Sequence, residues 1–365
     1  MRREIHEQPD ALAATLNRYV EADAFRADAC ASIFQWLKHI QTKIVVAASG
    51  SSRHAGLVGQ LLIKDLSGIS VDVEYASEYS YQPEESLDAA AVLVVSQSGE
   101  TADTLAALRR ANSAGLETLA ITNVVNSTMD REALASFPTV AGSERAIPAT
   151  KSFTSQLLNL YLLSLMSASV RGTMDDAALQ IRLAEIAALP AQIAAQLERW
   201  EEAVKRIADL NRAATSFLFL GRGIHYPIAL EGALKLKESA YIHAEGYPSG
   251  ELKHGPNALV AEGTPLIMIA TVNSADSDSV LRYEKVVRLM RDMRDQGATI
   301  IAIANTGDET VAELAGHVLF VDEAREALMA IAEVMTLQLF AYWVAIDQGV
   351  DVDNPRNLTK AVLAE

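Results

Sequence analysis

A chain of 365 residues, half of them apolar and 6% aromatic, holds enough material for two or three domains and a large buried core. Its formal charge of −16 argues against nucleic acid or an anionic membrane surface as a general partner. With Cys30 as its single cysteine, it has neither a disulfide framework nor a cysteine-rich metal centre.

Taken in order, residues 1–37 read as helices outside any sheet. The first ten residues are charged from the second onward with no long apolar core behind them, so no secretory signal is read. No apolar run reaches the length that spans a bilayer, and a soluble cytoplasmic protein is the expectation. Residues 43–48 (KIVVAA) are the first strand, 49–56 a small-residue turn carrying Ser51 and Ser52, and 57–66 a mostly apolar helix. Residues 69–75 alternate like a strand, 117–122 form another, and 138–141 one more short one. Residues 149–154 open a long apolar helix running to about 166, and 172–199 form a helical connector of Ala, Leu and charges. The order then repeats: strand 215–220, glycine turn 221–223, helix 227–240, strand 264–271, loop 272–277, helix 280–296, strand 298–304, strand 317–321 and a closing helix 327–348.

This alternation specifies an α/β fold with doubly wound parallel sheets and a site at the carboxyl ends of the strands. The repetition implies two tandem domains from an internal duplication. The divisions are a helical segment 1–37, a first domain 38–170, a connector 171–200, a second domain 201–348 and a tail 349–365.

The organising stretch is 91–112, AVLVVSQSGETADTLAALRRAN. Residues 91–95 are a β-branched apolar run, as in a strand buried on both faces. Ser96-Gln97-Ser98-Gly99-Glu100-Thr101 breaks it, and helical spacing resumes at Thr104. The start of that helix presents unpaired N–H groups and the positive end of its dipole. Ser96, Ser98 and Thr101 add hydroxyls there, and Gly99 lets the backbone approach a ligand, which makes a phosphate cradle without a lysine. The same residues also suit an ordinary capped helix. The second array's counterpart, 273–277, lacks the glycine and carries Asp276, which repels phosphate, so one phosphate site per chain is expected.

Residues 221–256 hold the densest chemistry. Glu231, Lys235 and Glu238 fall at i, i+4 and i+7 on one helix face, either as a solvated ion-paired surface or as a base held in an apolar groove. The loop Glu251-Leu252-Lys253-His254-Gly255-Pro256 adds an acid, a lysine and a histidine, while His225 and His243 read as structural. In the tail, Pro355 stops any helix, and Lys360 lies on an irregular segment able to fold over a site, where a neutral amine could condense with a sugar carbonyl.

The duplicated arrays with SQSGET, ALEGALKLKE, ELKHGP and PRNLTK resemble the sugar-isomerase (SIS) family, and in particular the isomerase half of glutamine:fructose-6-phosphate amidotransferases. The resemblance runs from Ile5 to Glu365. It implies two flavodoxin-like SIS domains with flanking helices, phosphate binding by Ser96, Gln97, Ser98 and Thr101, and a sugar contact by Ser52 with Ser51 beside it. It implies Glu238 as the base moving a proton between C1 and C2, Lys235 beside it, and Lys360 at the open-chain carbonyl. His254 would open the sugar ring from a neighbouring subunit, making a homodimer. A small-molecule sugar phosphate is the expected partner, and no metal or redox cofactor is called for. The family's synthases begin with a glutaminase domain whose nucleophile is a terminal cysteine. This chain begins MRREIHEQPD, so no ammonia from glutamine is expected. The turn at 49–54 also departs from the family's usual Cys-Gly-Thr-Ser. A stand-alone glucosamine-6-phosphate deaminase is the reading this supports. The alternatives are a fructosamine-6-phosphate deglycase, an aldose–ketose phosphosugar isomerase and a non-catalytic sugar-phosphate sensor.

Overall fold

The computed structural model describes residues 1–40, 43–83 and 91–362. They group into two compact units. The N-terminal unit takes Glu7–Glu144, Lys151–Ala191 and the chain from Thr359, and the C-terminal unit takes Met1–His6, Arg145–Thr150 and Gln192–Leu358.

The N-terminal unit is built on five parallel strands: β1 (Lys43–Ala48), β2 (Ser70–Tyr75), β3 (Ala91–Ser96), β4 (Glu117–Thr122) and β5 (Ala135–Ser136). Their spatial order is β2-β1-β3-β4-β5. Strand β3 is buried at every position, as a central strand covered on both faces must be. Helices α1 (Gln8–Tyr19), α2 (Ala27–His39), α3 (Gly50–Ser67), α4 (Ala102–Ser113) and α5 (Lys151–Arg171) belong to this unit. Helix α5 is buried continuously from Lys151 to Ala168, which is why its sequence shows no polar face. Helix α3 approaches it closely at Gly59, where a Cβ would lie 2.8 Å from Leu160 Cδ2. Helix α6 spans Asp176–Leu210 with Pro190 inside it, and the division between units falls just after Ala191.

The C-terminal unit repeats the plan with β6 (Ser216–Gly221), β7 (His243–Pro248), β8 (Pro265–Ala270), β9 (Thr299–Asn305) and β10 (His317–Val321), ordered β10-β9-β8-β6-β7 and all parallel. Helices α7 (His225–Ala240), α8 (Ser277–Asp295) and α9 (Glu326–Asp347) cover it, with α7 packed on α9. The order of each sheet reverses once, between β1 and β3 and between β6 and β8. In doubly wound sheets the crevice at such a reversal is where ligands bind.

Several sequence expectations need correction. Helix α3 begins at Gly50, so Ser51 and Ser52 stand in its first turn and not in a loop before a helix at 57. The strand expected at 138–141 is displaced to 135–136, because Pro138 has no N–H to give to a ladder. Strand β7 was not anticipated: HAEGYP carries polar and glycine positions typical of an edge, where burial does not impose alternation. The expectation that no apolar run is long enough to cross a bilayer also fails. Helix α9 has an 18-residue window of mean hydropathy 1.6, of which 83% is buried. Its apolarity is that of a core helix packed within its unit.

Candidate active site

In the N-terminal unit the two serine-rich segments leave the carboxyl ends of β1 and β3, neighbours at the reversal of the sheet. The loop after β3 is held by its own hydroxyls. Ser96 Oγ accepts from Gly99 N at 3.2 Å and lies 3.1 Å from Thr101 Oγ1, and Ser98 Oγ accepts from Glu100 N at 3.1 Å. The Gln97 carbonyl accepts from Asn123 N, the Gly99 carbonyl accepts from Met129 N, and Glu100 Oε1 accepts from Thr128 N at 2.8 Å. Thr101 is the residue before α4, and its side chain makes no capping bond. Gly99 has φ +69°, and a Cβ there would fall 2.0 Å from Ser127 Oγ, so only glycine fits. The loop is therefore a fixed ring of backbone and hydroxyl groups at a helix start, an arrangement suited to an anion. From the β1 side, Ser52 Oγ accepts from Gln156 Nε2 at 3.1 Å, which leaves the Ser52 hydroxyl hydrogen to be donated elsewhere. Ser51 and Ser52 are both half-buried.

In the C-terminal unit, α7 carries Glu231, Lys235 and Glu238. Lys235 Nζ lies 3.4 Å from Glu231 Oε1 and 2.5 Å from Glu238 Oε2. The Glu231 and Lys235 side chains are fully buried, whereas Glu238 retains 21% exposure. A solvated ion-paired face is therefore excluded, and so is an apolar groove around Glu238, whose neighbour is an ammonium. Burial alone would lower the Lys235 pKa, but the charges of Glu231 and Glu238 and their hydrogen bonds more than reverse this and leave it raised. Lys235 is thus a permanent buried cation that orients Glu238, the one of the two acids still reachable from outside.

The start of α7 is fixed by another charged cluster. His225 Nδ1 lies 2.9 Å from Glu333 Oε2, and its Nε2 lies 3.5 Å from Glu326 Oε1. Thr271 Oγ1 donates to Glu333 at 2.6 Å, while Ser279 Oγ and Arg282 hold Glu326. The structural reading of His225 agrees with this burial. His254 stands on a short 3₁₀ turn, Leu252–His254, and is exposed. Among the described residues, no hydrogen bond joins its ring to Glu238.

Lys360 belongs with the N-terminal unit, where its Nζ donates to Glu144 Oε2 at 2.5 Å. Sequence reasoning missed Glu144, 216 residues away, and Gln156, the partner of Ser52. A buried acid in the stretch AGSER has no periodicity to mark it, and only the fold brings it to the tail.

Among known proteins, the family model described as "SIS domain" matches residues 37–166 and 210–347. The chain is 41% identical to glutamine–fructose-6-phosphate aminotransferase [isomerizing] of Chlorobaculum tepidum, over all of this chain and 58% of that protein. It therefore spans somewhat under three fifths of the length of that relative. Its structure is similar to the C-terminal domain of glucosamine-fructose-6-phosphate aminotransferase from Francisella tularensis, with TM-score 0.87, 33% identity and 97% of each chain covered. A glucosamine-6-phosphate deaminase from Thermotoga maritima matches at TM-score 0.72 and 22% identity over 99% of this chain and 98% of that one, a likeness of fold. Two parallel sheets, each with a serine- or glycine-marked turn at its reversal, coincide with the two matched segments, and the chain belongs to the SIS domain family.

Proposed function

We propose that this chain catalyses a 1,2-proton transfer on a hexose 6-phosphate, and that its reaction is glucosamine 6-phosphate plus water to fructose 6-phosphate plus ammonia. The observation that carries the reading is the buried Lys235 ammonium 2.5 Å from a Glu238 carboxylate that is still 21% exposed. This is one acid oriented by a cation and open to a substrate. The names of the relatives, aminotransferases of fructose 6-phosphate, supply the substrate class.

In this reading the substrate phosphate rests on Ser96, Gln97, Ser98 and Thr101, with Ser52 donating to the sugar. His254, from a second copy of the chain, protonates the ring oxygen and opens the ring. Glu238 then takes the proton from C2 of the open-chain aldose, and the electron pair forms the C1–C2 double bond of an enolamine while the carbonyl oxygen gains a proton. Lys360 donates to that oxygen as its charge develops. Return of the proton to C1 leaves an imine at C2. Water adds to that carbon, the C–N bond breaks, and ammonia leaves with fructose 6-phosphate as the other product. His254 recovers its proton from the C1 hydroxyl as the ring opens, Glu238 returns the C2 proton to C1, and the proton gained by the carbonyl oxygen is matched by the one lost from nitrogen as the imine forms, so that with one water the sequence balances.

The test is release of ammonia and fructose 6-phosphate from glucosamine 6-phosphate by the purified protein, without glutamine. Equimolar release, abolished in Glu238→Gln, establishes both reaction and base. Interconversion of glucose and fructose 6-phosphates without ammonia replaces the reading with an aldose–ketose isomerase. Ligand binding unaffected by Glu238→Gln, with no turnover of any phosphosugar, replaces it with a sensor.

A further inference from the structure

Within the N-terminal unit, the segment 359–362 is held through Lys360 and Val362. Lys360 Nζ donates to Glu144 Oε2, and the Val362 carbonyl accepts from Ala102 N at 2.9 Å. Ala102 is the first residue of α4 and follows Thr101 of the anion loop directly. The tail is therefore seated on the same helix start that presents the loop.

Glu144 is built to receive that lysine. Its side chain has no exposure, while that of Lys360 keeps 26%. Ser152 Oγ donates to Glu144 Oε2 at 2.7 Å and Ser152 N to Oε1 at 3.1 Å. Ser152 lies in the first turn of α5, where free N–H groups and the helix dipole favour a negative charge. Burial pushes the Glu144 carboxyl up, but the Lys360 charge and the hydrogen bonds from Lys360 and Ser152 outweigh it and hold the group below its ordinary value. A buried carboxylate is a poor packing element. An apolar residue of that size would fill the space without the desolvation penalty, so the acid's use lies in what it holds.

We propose that Glu144 is the positioning residue for Lys360: a buried, helix-anchored carboxylate that aims the terminal ammonium and thereby seats the tail on the anion loop. The part of this that concerns turnover rests on the reading of Lys360 as the carbonyl contact, while the part that concerns seating does not.

Two readouts separate them. Acylation of Lys360 by acetic anhydride at fixed pH, quantified by mass spectrometry, and amide exchange at Ala102 report seating without any substrate. Glu144→Gln keeps the shape and removes the charge. Loss of a charge-assisted bond predicts labelling of Lys360 at least about tenfold faster and faster exchange at Ala102. Glu144→Asp, which keeps the charge but withdraws it by one methylene, is expected to fall between the two, and it serves as the test if the Gln variant does not fold. The kcat for ammonia release should drop about tenfold or more in Glu144→Gln and recover in part in Glu144→Asp. Unchanged labelling and exchange in the folded variant overturn the proposal; faster labelling with kcat unaltered in an active protein upholds the seating and overturns the part that concerns turnover. If the native protein releases no ammonia, the proposed reaction falls, and labelling and exchange alone decide whether Glu144 seats the tail.

Discussion

Replacing His225 by Gln tests whether the helix carrying Lys235 and Glu238 is anchored by a buried imidazolium. Burial alone would lower the pKa of His225. The charge of Glu333, the bonds from Glu326 and Glu333 and the charge of Glu326 outweigh it, and raise the group from 6.5 to about 10. A folded value above the unfolded one means that the folded protein binds an extra proton between them. This contribution is complete below about pH 6.5 and is lost as pH rises through about 10. At about 1.36 kcal/mol per pH unit it amounts to roughly 5 kcal/mol at most. Removing one member of a buried ionic group costs roughly 3–5 kcal/mol, the same order. Urea unfolding of native and His225→Gln protein, followed by tryptophan fluorescence, should therefore show a gap of several kcal/mol near pH 6 that narrows by about 1.4 kcal/mol per unit above it. A gap that stays constant from about pH 6 to about pH 10 would mean that His225 is neutral in the folded state, and the anchoring argument would fail with it. The acid side has its own signature. Burial raises the Glu326 carboxyl, but bonds and charge from His225, with bonds from Arg282 and Ser279, bring it to about 2. Its contribution is present above about pH 4.5 and is lost as pH falls through about 2.

Glu238→Gln should lower kcat on glucosamine 6-phosphate by roughly 10²–10⁴-fold with little change in KM, since the phosphate grip is left whole. Steady-state kinetics check this, and a rise in KM alone would make Glu238 a binding group. Gly99→Ala forces a side chain into φ +69° and into Ser127. It should cost roughly 1–3 kcal/mol in a thermal melt and weaken inorganic phosphate binding, whereas unaltered binding would move the anion site away from this loop. Calorimetric titration with phosphate should give one site per chain, lost in the double variant Ser96→Ala/Thr101→Ala. Two sites would refute the reasoning about Asp276.

The fold was legible where burial imposes a pattern. Strands such as KIVVAA and AVLVVS are apolar apart from Lys43 at the start of the one and Ser96 at the end of the other, because both faces are covered. Legibility ended where backbone pairing alone decides, as at the edge strand His243–Pro248, and where small polar residues suit either a turn or a helix start, as at Gly50–Ser52. In the site, local spacing identified Lys235 beside Glu238, since i and i+3 meet on one helix. Glu144 and Gln156 were invisible for the opposite reason. Their partners, Lys360 and Ser52, lie 216 and 104 residues away, and no period links them.

The two reversals differ in what occupies the helix start beside them. After β3 the loop keeps its groups in place by its own hydroxyls: Ser96 Oγ accepts from Gly99 N and pairs with Thr101, Ser98 Oγ accepts from Glu100 N, the Glu100 carboxylate is taken up by Thr128 N, and Thr101 makes no cap. After β8 the corresponding helix start is already satisfied. Asp276 caps α8 through Asp278 N and Ser279 N, and Glu326 takes the Ser279 hydroxyl and the Arg282 guanidinium. An anion arriving there would have to displace two resident carboxylates from the donors that would bind it, against their repulsion. Glu326, together with Glu333, also holds His225, and His225 begins the helix that carries Lys235 and Glu238. The second array thus uses its helix start to brace the helix that carries the acid, whereas the first meets its own with neutral groups, the loop hydroxyls and the Val362 carbonyl, and caps it with no side-chain carboxylate.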